Sequence, residues 1–324
     1  MRARIAGTGS YVPSRVLTNA DLERMVDTSD EWIVERTGIR ERRLAAPGEA
    51  CSDLGVKAAE RALEAAGMAA SDLDMILVAT CTGDAPLPST ACLIQHRLGA
   101  TRAAACDIGA ACCGFVYALA VGDAYVKTGL RHVLVIGSEV MSAITNWKDR
   151  NTCVLFGDGA GAVVLSPTKE DRGILSSHLH SDGSLWNLIC VPGGGSRMPP
   201  TEKMLADDLQ YIKMKGNETF KVAVKTLEES AREALKANGL TVGDIDAYVP
   251  HQANARILKA VASRLELPME KVVLNVDRYG NTSAASIPIA LDEAVREGRI
   301  RKGHLVMMAA FGSGLTWATT LVRW

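Results

Sequence analysis

Residues 62–78, ALEAAGMAASDLDMILV, and residues 234–250, ALKANGLTVGDIDAYVP, are two versions of one pattern. Ala-Leu, a glycine, Asp-x-Asp and an apolar run fall in matching places, and Gly67 and Gly239 stand 239 − 67 = 172 positions apart. The same offset links RHVLVIGSEV, from Arg131, to GHLVMMAAFG, from Gly303, since the two histidines give 304 − 132 = 172. One match alone could be a common helix-to-strand connection, but two at one offset indicate a duplication. The expected units are residues 1–170 and 171–324, joined around SPTKEDRG (166–173).

Each half alternates helical and strand patterns. SDLGVKAAERALEAAG (52–67) reads as a helix with an N-cap at Ser52 and a stop at Gly67, followed by the buried strand LDMILVAT. CGFVYALAVGDAYVKTG (113–129) is a helix with Lys127 in its last turn and Gly129 at its end; HVLVIGSE and GAGAVVLSP are strands. The second half offers helices over 218–239, 253–265 and 286–298, and strands in HLVMMAAFG and LTWATTLVRW. Near-continuous apolar strands between helices imply sheets covered on both faces. Two such halves predict an α/β fold in five layers, αβαβα, with two mixed sheets and helices between and outside them. Residues 184–214, with PGGGSRMPP, are the main unrepeated excursion, expected as loop, lid or tunnel wall.

With 324 residues, 48% hydrophobic and 23% charged, the composition is that of a soluble globular protein. A net charge of −1 gives no global field for nucleic acid or a membrane surface, so any basic docking patch is local. The opening MRARIAGTGSYVPS is broken by Gly7, Gly9 and Pro13 and lacks a signal-peptide core, and no apolar run reaches membrane-spanning length. Eight cysteines (51, 81, 92, 106, 112, 113, 153, 190) form no CxxC pair, so the expectation is a reduced, cytoplasmic protein without a metal site.

The chemistry starts from DIGAACCGFVYAL (107–119), where Cys112 and Cys113 follow small residues and precede a helix. A thiol at a helix start faces unpaired N–H groups and the positive dipole end, which favour thiolate by ~0.3–2 kcal/mol. Free cysteines are commonly small core residues, so the pair needs partners. YVPHQANARI puts His251 between a strand and a helix, and DRYGNTSAAS puts Asn281 in a Gly-Asn turn before another. By the offset, Cys112 matches position 284 within NTSAAS, so the halves present equivalent strand-to-helix turns. Cys, His and Asn at such turns are a candidate catalytic set. Cys112, His251 and Asn281 also run in the order of papain-like hydrolases with 251 − 112 = 139 residues between the first two, but CCGF is not the papain signature.

DIGAACCGF, FGDGAGAVVL, VPHQANARI, DRYGNTSAAS and AFGSGLTW together resemble the motifs of the β-ketoacyl-acyl-carrier-protein synthase III family, from GTGSYVPSRVLTNADLE to the terminal LVRW. The resemblance implies a thiolase fold and the decarboxylating condensation that initiates bacterial fatty acid synthesis. It implies that Cys112 takes a short acyl group from an acyl-coenzyme A, that His251 and Asn281 serve malonyl-acyl-carrier protein, and that Cys113 packs. The oxyanion donors would be the backbone N–H groups of Cys112 and Ser313, the latter often Gly in the family. Trp32, Arg36 and Arg150 match residues around coenzyme A adenine and phosphate; Asn254, Gly216 and Phe220 match the pantetheine tunnel. Leu87 matches the position that closes the acyl pocket from the partner subunit of a homodimer, with Phe156 and Leu188 expected beside it. Lys221, Arg256 and Arg264, the last often lysine in the family, are candidates for a basic rim that meets the carrier protein. Coenzyme A thioester would be substrate, with no permanently bound cofactor. A related condensing enzyme of secondary metabolism and a non-catalytic carrier-binding scaffold are the alternatives.

Overall fold

The apolar runs become strands and the periodic segments helices in a computed structural model of the chain, which describes residues 1–324. Numbered in chain order, the principal strands are β1 (Arg2–Tyr11), β2 (Met75–Ala79), β3 (Ala104–Ile108), β4 (Val133–Val140), β5 (Asp158–Thr168), β6 (Gly173–Ser181), β7 (Ala247–Pro250), β8 (Leu305–Gly312) and β9 (Thr316–Arg323). The helices are α1 (Asp30–Thr37), α2 (Cys51–Ala66), α3 (Thr90–Leu98), α4 (Gly114–Lys127), α5 (Gly216–Ala237), α6 (Ala255–Leu265) and α7 (Ser286–Arg296).

One sheet has the order β1-β5-β4-β2-β3 and the other β6-β9-β8-β7. In both, the first two pairings are antiparallel and the next is parallel. A fifth strand in the second sheet is reduced to one parallel bridge, Tyr248 with Val272. The 172-residue offset recurs in the elements: β2 and β7 begin at 75 and 247, β4 and β8 at 133 and 305, α4 and α7 at 114 and 286.

Burial explains the layers. In α5 the buried residues Thr219, Ala223, Leu227, Ser230, Ala231 and Ala234 recur at three- and four-residue spacing, giving one apolar stripe. With α6 it covers the outer face of the second sheet, in a core that includes Leu227, Val261 and Met307. Leu54, Ala58 and Ile94 of α2 and α3 cover the outer face of the first sheet. The central core of 30 buried residues draws on α4, α7 and both sheets, among them Phe115, Ile287, Val135 and Met308. These are the five expected layers.

One expected cap differs. Helix α2 starts at Cys51, with Ala50 as N-cap and the Asp53 carboxylate accepting its N–H at 2.6 Å. The Ser52 hydroxyl instead donates to Asp84 at 2.7 Å, because a carboxylate from the following loop is the stronger acceptor.

Two approaches between the halves admit no side chain. A methyl group on Gly137 in β4 would lie 2.3 Å from the Ala284 carbonyl oxygen, and one on Gly312 would lie 2.9 Å from the Cys112 nitrogen. Backbone on each side leaves nothing that can give way. Gly137→Ala is therefore expected to destabilise the protein by at least ~2 kcal/mol. Gly183→Ala, in open space, should melt as wild type does, and thermal unfolding of the two variants checks the difference.

Candidate active site

Two strand-to-helix elbows meet at the centre. Ala111 and Ser283, 283 − 111 = 172 apart, are both in the left-handed region, with φ of 45° and 49°. Such backbone costs a non-glycine residue on the order of 1–3 kcal/mol and persists only where the surroundings enforce it. Each elbow leads through a short 3₁₀ turn, Ala111–Cys113 or Ser283–Ala285, into the central helices α4 and α7. The bend turns Cys112 toward a cavity of about 500 Å³, whose wall also includes His251, Asn281, Leu155, Ile189 and Phe311.

His251 follows β7, its N–H donating to the Ala309 carbonyl at 2.8 Å. Its Nδ1 lies 2.6 Å from the Ser286 Oγ, which also accepts the Gln252 N–H at 3.2 Å. Nδ1 is the one acceptor within reach of the Ser286 hydroxyl proton, so the hydroxyl donates to it and the ring carries its own proton on Nε2. Burial pushes the imidazole down to about 4, keeping it neutral near pH 7. The Asn281 Oδ1 accepts the Ser283 N–H at 2.8 Å, which leaves the amide Nδ2 as the free donor. His251 and Asn281 thus both offer N–H groups.

Cys112 departs from the sequence expectation in its acidity. Burial is the largest influence and pushes its thiol up to about 11, while the Ser283 hydroxyl acts in the opposite direction. The helix end, worth at most ~2 kcal/mol, does not prevail over desolvation. Cys113 is fully buried in the central core, its thiol on the Thr316 carbonyl at 3.2 Å. The N–H groups of Cys112 and Ser313 are not taken by other backbone carbonyls, and the Ser313 hydroxyl is tied to the Ile189 carbonyl at 2.6 Å.

Farther out, the same cavity is lined by Trp32, Arg36, Gly216, Phe220, Lys221, Asn254 and Arg256. The Arg36 and Arg150 guanidinium carbons stand 4.9 and 4.6 Å from the Trp32 ring centroid, and Arg150 donates to the Asp27 carbonyl at 2.6 Å. Asn254 caps α6 and reaches the Arg36 carbonyl at 3.1 Å, joining α6 to the end of α1. Arg256 lies 5.8 Å from the Phe220 ring.

Six expected residues are not part of this wall: Arg150 and Ser313, already described beside it, and four more. Phe156 and Leu188 are buried in neighbouring cores, and their chain neighbours Leu155 and Ile189 face the cavity instead. Leu87 is 86% exposed on its loop. Arg264 is paired with Glu228 at 2.9 Å, so its charge is already partnered. Ser286 and Arg42 escaped the sequence reading. Arg42 is fully buried and donates to the Val154 carbonyl at 2.8 Å, bracing the segment whose Leu155 carbonyl accepts the Asn281 N–H at 2.8 Å. Its signal in the sequence, one arginine in RERR, is indistinguishable from surface charge.

No helix is long and apolar enough to cross a membrane, and no group of three or more His, Cys, Asp or Glu is placed to hold a metal ion.

His251 should not titrate between pH 7.5 and 5, which NMR of the ring checks. Its folded value lies below the ordinary 6.5, so unfolding takes up a proton between pH 6.5 and about 4. The stability this group contributes is therefore complete above pH 6.5 and is lost as pH falls toward 4.

Family models place the chain among known proteins. The model described as 3-oxoacyl-[acyl-carrier-protein] synthase III matches residues 106–183, and that of its C-terminal part matches residues 235–324. The β-ketoacyl-[acyl-carrier-protein] synthase III of Caldanaerobacter subterraneus is 55% identical over 99% of this chain and 98% of its own. The crystal structure of the Aquifex aeolicus 3-oxoacyl-[acyl-carrier-protein] synthase III superimposes with a TM-score of 0.93 at 48% identity, covering 99% of this chain and 100% of the other. A priming β-ketosynthase from a polyketide pathway gives a TM-score of 0.91 at 39% identity, over 99% of this chain and 96% of its own. With the duplicated fold, the two elbows and full-length identity in agreement, the chain belongs to the β-ketoacyl-[acyl-carrier-protein] synthase III family of thiolase-fold condensing enzymes.

Proposed function

We propose that this condensing enzyme loads a short acyl group from acyl-coenzyme A onto Cys112 and joins it to malonyl-acyl-carrier protein, releasing CO2 and 3-oxoacyl-carrier protein. The observation that carries the assignment is one cavity wall presenting a thiol, a neutral imidazole and an amide donor together. The Cys112 sulfur attacks the thioester carbonyl, the coenzyme A sulfur leaves, and a covalent acyl-enzyme results. Malonyl thioester then loses CO2, and the electrons of the broken C–C bond move to the thioester oxygen. Asn281 has no basic atom for that step, but its Nδ2 and the His251 Nε2 both donate to an enolate. The new carbanion attacks the acyl-Cys112 carbonyl, whose oxygen the N–H groups of Cys112 and Ser313 receive. Collapse of that adduct expels the Cys112 sulfur and leaves a new C–C bond.

Substrate binding follows from the outer wall. Trp32, with Arg36 and Arg150 over its ring, offers stacking and positive charge to the adenine and phosphates of coenzyme A. Gly216, Phe220 and Asn254 line the route for pantetheine, and Lys221 and Arg256 at the mouth suit an acidic carrier protein. The exposed Leu87 fits a homodimer in which each subunit closes the other's acyl pocket, with Phe156 and Leu188 behind its wall. The reaction uses no resident cofactor, and the cytoplasm is its setting. Residues 1–170 and 171–324 act as two repeated units, the first carrying the nucleophile and the second the donors.

Likeness to the polyketide priming synthase keeps a second destination for the product, since its fold would carry the same condensation. A panel of acetyl, isobutyryl and longer primers with malonyl carrier protein separates the two uses.

Cys112→Ser should abolish transfer of radiolabelled acetyl to the protein, and Cys113→Ala should retain most turnover. The reverse outcome overturns the assignment. His251→Ala and Asn281→Ala should each lower malonyl decarboxylation by on the order of 100-fold, in line with removal of one anion donor, while part of the acylation remains. Loss of acylation alone in these variants would overturn the division of roles.

A further inference from the structure

The condensation asks only for the backbone N–H of Ser313, yet the hydroxyl of that residue is engaged as well. Its Oγ donates to the Ile189 carbonyl at 2.6 Å, across 124 residues of chain. Gly312, the residue before it, lies against the Cys112 backbone, where a methyl group would stand 2.9 Å from the nitrogen. The Thr316 Oγ1 lies 3.1 Å from the Ser313 carbonyl oxygen and 3.2 Å from that of Ala110, bridging the turn to the elbow that carries Cys112. On this side, then, the turn between β8 and β9 is fixed to the nucleophile.

On its other side the same turn holds the unrepeated excursion that begins after β6. Asp182 and Leu315 exchange both backbone hydrogen bonds, each at 2.8 Å. Farther along, Ile189 and Cys190 pair with Met214 and Lys213 in a short antiparallel ribbon, and the Lys215 N–H donates to the Leu188 carbonyl at 2.8 Å. Those bonds join the ribbon to itself. The Ser313 hydroxyl joins it to the turn that presses on Cys112.

The ribbon matters because Ile189 faces the Cys112 cavity. An acyl group on that sulfur meets an inner wall whose apolar residues include Leu155, Ile189 and Phe311. Phe311 is held by the pairing of β8 with β9, opposite Trp317, and the Leu155 carbonyl accepts the Asn281 N–H at 2.8 Å. Of the three, Ile189 is the one carried by the excursion, so its place depends on what ties the excursion down.

We infer that the Ser313 side chain is a positioning residue for primer size: its bond to the Ile189 carbonyl holds that wall at a fixed distance from Cys112. The inference rests on Cys112 being the acylated residue. Without the hydroxyl the Ile189 carbonyl loses this donor and the ribbon can draw back. That gives a branched acyl chain room and takes wall contacts from a small one. The backbone N–H of Ser313 survives replacement by alanine or glycine, and it serves the oxyanion of every acyl group alike. A change in size preference therefore reports the wall and not the oxyanion donor.

The kcat/KM values for acetyl- and isobutyryl-coenzyme A with malonyl carrier protein test this in wild type, Ser313→Ala, Ser313→Gly, Ile189→Ala and the Ser313→Ala/Ile189→Ala pair. Thermal melting is followed on the same preparations. The isobutyryl-to-acetyl ratio should rise roughly three- to tenfold in Ser313→Ala and Ser313→Gly, the range that one net hydrogen bond spans. Ile189→Ala should raise it too. Adding Ser313→Ala to that variant should move it by less than about twofold, because the two residues act through one contact. An unchanged or lowered ratio in a folded Ser313 variant overturns the inference, and so does a full second rise in the paired variant. If one of the two Ser313 variants does not fold, the other decides. A wild-type protein that takes no acyl label on Cys112 would instead overturn the nucleophile assignment.

Discussion

The carbonyl of Ala284 rests against the bare backbone of Gly137, and the active site depends on that contact. A single methyl group at Gly137 would sit 2.3 Å from the Ala284 oxygen. The approach brings the elbow of the second half onto β4 of the first. A matching approach at Gly312 presses the end of β8 against Cys112, within 3.0 Å of where a Cβ would stand. Two contacts of opposite sense, one from each half, lock the elbows in register. Packed interiors do not deform continuously, so the thiol, the imidazole and the amide inherit their positions from the backbone rather than from flexible side chains. The left-handed φ values of Ala111 and Ser283 are the local cost of that arrangement.

Within this frame burial works against charge. Burial raises the thiol of Cys112, lowers the imidazole of His251 and raises the carboxyl of Glu139. Such a site is unsuited to holding an ion at rest and well suited to receiving one briefly. An enolate or a tetrahedral oxyanion meets fixed N–H dipoles that need no reorganisation, in surroundings where each such donor is worth more than in water. A protonated His251 would be a poorer arrangement, because its charge would bind the malonyl carboxylate and retard the loss of CO2. Neutrality serves the second half-reaction and hinders the first.

The duplication, the layers and the three central residues were legible from sequence because each leaves a local pattern: an offset repeated twice, apolar runs of strand length, and polar residues at helix starts. What escaped was set by contacts distant in the chain. Ser52 looks like a helix cap until Asp84, 32 residues away, claims its hydroxyl. Arg42 in RERR looks like surface charge, yet it is fully buried against Val154, 112 residues on. The expected thiolate at a helix start also fell short, because the sequence reveals the dipole but not the depth of burial. Phe156 and Leu188 miss the cavity wall by one residue each, because a turn over 151–155 and a 3₁₀ helix ending at Leu188 set the directions of their side chains, which the sequence does not show.

The offset also sets the proposed nucleophile and donors against their counterparts in the other half. Subtracting 172 from 251, 281, 284 and 286 gives Ala79, Gly109, Cys112 and Gly114 in the first half, opposite His251, Asn281, Ala284 and Ser286 in the second. Every functional side chain therefore faces a residue of minimal size at the equivalent site. In the first half a methyl on Gly114 would lie 2.9 Å from the Ala79 Cβ, so that pair is closed by packing. In the second half the same pair has become Ser286 and His251, joined by a 2.6 Å hydrogen bond. Both versions hold the end of a parallel strand to the start of a central helix, one by close contact and one by a polar link. The link costs little because both partners are satisfied, and it fixes the imidazole's tautomer. One scaffold joint thus serves as plain packing in one copy and as part of the chemistry in the other.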